Sequence, residues 1–121
     1  MLNEKGMMMM TKEQMREYLD GPTKTYAVYQ VPFENDLIRD IRFMSAEQVQ
    51  EVSDQHVLVG TVEAVDLEQV FFYGNMQRSR FNVVGEMVSV STGDIIHDLR
   101  NDKTFVVEHH GFKQIKMKEA V

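Results

Sequence analysis

The sequence predicts an α+β fold: one small domain, mostly antiparallel sheet, with about three short helices and a β-hairpin near its C-terminal end. Three observations carry that expectation. Three segments share the side-chain grammar of a helix start. The runs between and after them are rich in β-branched and aromatic residues, broken by glycine and polar turns. The length of 121 residues suits one hydrophobic core and leaves too little chain for two.

The helix starts are "TKEQ" (11–14), "SAEQ" (45–48) and "DLEQ" (66–69). In each, a side-chain oxygen at the first position can accept from the amide three residues on, and the glutamine there can reach back. Met15, Tyr18 and Leu19 follow the first cap at helical spacing, and Asp20, Gly21 and Pro22 stop it. Ala46, Val49 and Val52 form the apolar stripe of the second helix. Leu67, Val70 and Phe71 form that of the third, which Gly74 and Asn75 end. Residues 1–9 read as a flexible leader, with Met1 and the run Met7, Met8, Met9 and Met10 all offering a translation start; residues 10–121 read as the single α+β domain.

The strand candidates begin with "KTYAVYQV" (24–31) and "HVLVGTVEAV" (56–65), where Gly60 marks a bulge or a close backbone approach. "FNVVGEMVSVS" (81–91) repeats that style around Gly85. "GDIIHDL" (93–99) and "KTFVVEHH" (103–110) flank the polar "RND" and read as a hairpin. "NDLIRDIRFM" (35–44) admits a helical turn through Leu37, Ile38 and Ile41, or a strand at "IRF". In the tail, Gly111 breaks the backbone, Phe112 anchors on the core, and Lys113, Lys116 and Lys118 protect an edge strand. Met44, Met76, Met87 and Met117 are expected to fill core gaps.

Composition removes several function classes. The chain has no cysteine, which excludes disulfides, thiolate zinc sites and a cysteine nucleophile and suits a cytoplasmic location. No apolar run approaches the ~20 residues that cross a bilayer, so no membrane partner is expected. Nineteen acids against thirteen bases give a net charge of −6. That balance argues against a broad phosphate-binding surface and leaves a basic protein surface as the natural electrostatic partner. Neither a glycine-rich phosphate loop nor a nucleophile elbow occurs, so the expectation is a non-enzymatic protein without a cofactor.

Three residue sets compete as functional sites. Asp94, Asp98, Asp102 and Glu108 flank one predicted hairpin and form the candidate partner-binding surface. Arg78, Arg80 and Phe81, with Lys113 and Lys116 of the tail, interleave bases with an aromatic in the manner of a nucleic-acid contact. His97, His109 and His110 with nearby carboxylates offer metal or acid–base chemistry. Strand alternation sends His109 and His110 to opposite faces, which weakens the last set. A two-residue turn at Asn101 and Asp102 places Asp94 opposite His109; a three-residue turn places it opposite Glu108.

"IRFMSAEQV", "LEQVFFYGN" and "MVSVSTGDIIHDLRNDKTFVVEHHGFKQI" together resemble the YodL-like family, small proteins and modules of phages, plasmids and conjugative elements of Gram-positive bacteria. The ending is the specific part: Ser89, Val90, Ser91, Asp94, Ile95 and Ile96, then Phe105, Val106, Val107 and Glu108, then Gly111, Phe112 and Ile115. Thr92 and Gly93 are inserted relative to the family pattern, and Glu108 stands where the family usually has Asp. The resemblance implies an accessory protein of a mobile element that binds a host or element-encoded protein. One such role is inhibition of a defence nuclease, as in anti-CRISPR or anti-restriction proteins, by occupying a site meant for nucleic acid. It assigns no catalytic residue.

Overall fold

Lys24–Gln30 forms strand β1, and the rest of the domain is built outward from it. A computed structural model describes residues 23–118; the leader and the helix expected from residue 11 lie outside them. The other strands are β2 (Val57–Ala64), β3 (Asn82–Val83), β4 (Ile95–Asp98), β5 (Lys103–Glu108) and β6 (Gly111–Ile115). They make one six-stranded sheet in the order β3-β2-β1-β4-β5-β6, and every neighbouring pair is antiparallel. The α+β fold predicted from the sequence is the fold observed.

Alternation along the strands feeds two cores, one on each face. Tyr26, Val28, Ile96 and Val107 point to one face, where they meet Val70 and Tyr73 of helix α2 (Leu67–Met76) together with Phe81 and Val90. Ile95 and Val106 point to the other, where they meet Ala46 and Val49 of helix α1 (Ala46–Glu51) and Ile41. Adjacent apolar pairs such as Ile95–Ile96 and Val106–Val107 therefore mark strands covered on both sides.

Local chemistry explains the helix ends. Ser45 caps α1 with a complete capping box: its hydroxyl accepts from the Gln48 amide, and the Gln48 side chain accepts from the Ser45 amide. Asp66 caps α2 through the Gln69 amide, while the Gln69 carbonyl oxygen reaches one residue farther back and accepts from Val65 N. In α2 the buried residues are Gln69, Val70, Tyr73 and Gly74. That phase leaves Phe71, Phe72 and Met76 outward, which corrects the expected burial of Phe71 and the core role of Met76. On the buried side Gly74 packs against Val90; a Cβ there would lie 2.3 Å from Val90 Cγ2.

Residues 35–44 take the helical of their two alternatives, as two 3₁₀ turns, Asp36–Arg39 and Ile41–Phe43. Two further expectations change. In "FNVVGEMVSVS" only Asn82–Val83 is strand, because side chains rather than a ladder hold the residues beyond it. Gln30 bonds Val88 through both its amide nitrogen and its carbonyl oxygen, and Asn75 Nδ2 donates to Val90 O. The last strand candidate ends at Glu108: Glu108 pairs with Gly111, so His109 and His110 are the two-residue turn into β6. Gly111 absorbs that reversal at φ 113°, and a Cβ there would meet nothing, so its requirement is conformational rather than steric. The bulge expected beside Gly60 is present, with the register slipping between Val28 and Tyr29.

Candidate functional site

The hairpin acids do not share one surface. Ile95 pairs with Val106 and Asp98 with Lys103, so β4 and β5 are joined by four residues, neither two nor three. Asp94 consequently lies opposite Val107, whose amide donates to the Asp94 carbonyl. Asp94 and Glu108 sit at one end of the hairpin and Asp98 and Asp102 at the other.

Two of the four acids are consumed by the fold. Asp98 is buried and organises the 99–102 connection, accepting from the Arg100 and Asn101 amides and from the Asn101 side chain. Burial pushes its carboxyl upward, but the Asn101 donors and Lys24, 3.5 Å away, outweigh that and hold it below the ordinary carboxylate value. Asp94 is also buried. Its Oδ2 accepts from Gln30 Nε2 at 3.0 Å and from Ser91 N at 2.9 Å, and burial drives its carboxyl up to about 7 against those two bonds. Gly93 makes this turn possible: it takes φ 94°, with Ile41 O only 2.9 Å from where a Cβ would stand. On the other side of the turn, His56 Nε2 donates to Gly93 O at 2.9 Å. The carbonyl acceptor fixes the tautomer, leaving Nδ1 buried with no hydrogen-bond partner among the described residues. Burial lowers the affinity of His56 for a second proton.

Of the four hairpin acids, Asp102 is exposed, and a further set of accessible carboxylates stands elsewhere. Glu34, Asp36, Asp40, Glu47, Glu51 and Asp54 are all exposed on the layer formed by the 3₁₀ turns and α1. Leu37, Ile38, Met44 and Val52 turn inward from the same layer onto the core. Asn35 pins it, accepting from Leu37 N at 2.9 Å and donating to Gln55 Oε1 at 2.8 Å. Among the acids project Phe33, 65% exposed, and Phe43, 72% exposed. Arg42 lies over the Phe43 ring, 5.2 Å from its centroid. Nothing in the linear pattern singled out this set, since no two of its acids are adjacent.

The nucleic-acid set is divided in the same way. Arg78 and Arg80 are exposed, but Phe81 is 7% exposed and belongs to the core, so it offers no face for a base. Arg80 lies over Tyr73 at 4.4 Å from the ring centroid. Lys113 is on β6, bonded to Glu47 at 3.2 Å, and the Lys116 amide donates to Gln50 Oε1. These lysines are thus at the opposite edge of the sheet from Arg78 and Arg80.

The histidines are separated too. His97 pairs with Thr104, five residues before His109, roughly 16 Å along a strand. Among the described residues no three His, Asp or Glu side chains converge as a metal site would require. His97 Nε2 bonds the exposed Asp102 carboxylate at 2.8 Å, at the side of an open groove of about 860 Å³ that Tyr29, Thr104 and Lys116 also line. No helix among the described residues is long and apolar enough to cross a membrane. No protein-family model, curated protein or solved structure matches the chain.

Proposed function

We propose that the protein acts by binding another protein through the acidic layer of residues 33–54, and that it is a non-enzymatic accessory factor. The supporting observation is the exposure of Phe33 and Phe43 among six outward carboxylates. Large aromatic side chains are the usual anchors of an interface, and an excess of one charge around them, here six acids against Arg39 and Arg42, selects and steers the partner. The chemistry fits a partner with apolar pockets inside a basic surface. Many nucleic-acid-processing proteins present such a surface, which is why inhibition of a defence nuclease, in the setting of a mobile element, is the specific role proposed.

The test is a quantitative pull-down from host lysate with wild type, Phe43→Ala, and a variant carrying Glu34→Gln, Asp36→Asn, Asp40→Asn, Glu51→Gln and Asp54→Asn. Loss of the same basic protein with both variants supports the reading. A captured set that neither variant changes overturns it. Nucleic-acid binding is separated by a gel shift across a salt series, where phosphate contacts must weaken steeply.

A further inference from the structure

Beside Phe33 the surface dips into a cavity of about 130 Å³, at the end of the sheet where β1 runs out and β2 begins. Its walls are apolar: Pro32 and Phe33 beyond β1, Val57 and Val59 of β2, and Val88 of the segment that crosses them. Gln30 fixes that crossing, since its side chain bonds Val88 at both the amide and the carbonyl. The far wall is therefore anchored to β1. The volume is below the ~300 Å³ at which small-molecule sites begin, so the cavity admits a single side chain rather than a cofactor.

Of the described residues that line the cavity, Glu86 is the one ionisable group. It is exposed at the rim and makes no ion pair among the described residues. Phe33, Val57 and Val88 are 65%, 46% and 37% exposed around the same opening. An apolar recess with one carboxylate at its mouth is the complement of a long basic side chain, whose methylenes lie against apolar walls while its head stays at the surface. The Phe33 ring favours a guanidinium over an ammonium, because the planar group can stack on the ring and bond the carboxylate through two N–H groups. A purely apolar side chain would desolvate Glu86 without giving it a partner.

We propose that this cavity receives an arginine side chain of the partner protein, with its guanidinium between the Phe33 ring and the Glu86 carboxylate. The proposal rests on the reading of the acidic layer as a protein-binding surface and names the side chain that the partner inserts beside it. Charge complementarity selects this occupant at both scales: the free carboxylate at the rim and the net charge of −6 over the whole chain.

The probe is the blocked tripeptide acetyl-Gly-Arg-Gly-amide, titrated against protein labelled at its valine methyls, with the lysine and norleucine tripeptides for comparison. The arginine peptide should shift the Val57, Val59 and Val88 methyls saturably, with a dissociation constant on the order of millimolar, as one side chain allows. The lysine peptide should bind more weakly and the norleucine peptide not at all. Glu86→Gln should weaken arginine binding about threefold, the scale of one exposed ion pair, and added salt should weaken it in wild type. Val57→Phe fills the cavity while leaving Glu86 in place and should abolish the methyl shifts. Both positions are exposed, so the circular dichroism spectra of the two variants should match that of wild type. No saturable shift at these valines, equal binding of the norleucine or lysine peptide, or arginine binding that Val57→Phe leaves intact overturns the proposal. Partner capture that Phe43→Ala abolishes, in a protein that does not bind the arginine peptide, would remove the cavity and keep the acidic layer, so the two readings fail separately.

Discussion

The two edges of the sheet are finished differently. β6 has five residues against two in β3, so by length it is the greater hazard for unwanted strand pairing. It is also the guarded one: Lys113 projects from it to Glu47, Lys116 N is taken by Gln50 and Lys118 N by Ser53 Oγ. α1 and the turn after it thus seal the continuation of that edge with their own side chains. β3 is short, and its exposed side chains are Asn82 and Val83. One edge is blocked by charge and by borrowed acceptors; the other, among the described residues, is kept short.

The segment after β3 is also held differently from β6. A hairpin with β5 fixes β6, whereas residues 88–90, between backbone bonds at Val84 and Gly93, are fastened by the side chains of Gln30 and Asn75. The largest expected effect therefore falls on that fastening. Gly93→Ala combines a left-handed φ with contact against the Ile41 backbone and should cost about 3 kcal/mol in chemical denaturation. Next is Gln30→Leu, which strips Val88 N, Val88 O and Asp94 of a common partner. A loss of about 2 kcal/mol is expected, with faster amide exchange confined to residues 86–91; equally fast exchange in β6 would show that the two edges do not differ in the way described.

A smaller effect, with a sign, comes from Asp94. Its folded-state value of about 7 is above that of an unfolded aspartate, so its contribution is fully present below the unfolded value and is lost as pH rises through about 7. His56 works in the opposite sense: its folded value is lowered, so its contribution is present above about pH 6.5 and lost below. Between pH 6.5 and 8 the loss from Asp94 outweighs the remaining gain from His56, and wild type should lose about 0.5 kcal/mol there. Asp94→Asn, which mimics the protonated acid, should flatten that slope in thermal melts at the two pH values. The smallest effect is expected from Lys113→Ala, within about 0.5 kcal/mol for an exposed ion pair, and its readout is solubility, because it removes a guard from β6.

Much of this fold was legible in the residues. Ser45 with Gln48, and Asp66 with Gln69, announce helix starts through bonds spanning three residues, and β1 declares itself by composition. Adjacent apolar pairs in β4 and β5 likewise mark strands covered on both faces. The candidate site was legible only as a type of chemistry. An acidic, partner-directed surface was expected at Asp94, Asp98, Asp102 and Glu108, but strand ends need acceptors for backbone amides, and Asp94 and Asp98 are used there. The replacement set near Phe33 and Phe43 is assembled by 3₁₀ turns whose sequence carries no period. The shortness of β3 was hidden because the bonds that replace its ladder come from Gln30 and Asn75, 58 and 15 residues from their partners. The histidines looked like a strand because neither has a positive φ; Gly111 alone carries the reversal.

The contrast between the edges is tested most directly by amide exchange in the folded wild type. Residues 111–115 should be protected well above residues 86–91, and Gln30→Leu should widen that gap by speeding exchange at 86–91 alone. Equal protection of the two segments in wild type, or exchange that Gln30→Leu speeds at 111–115 as well, would contradict the account.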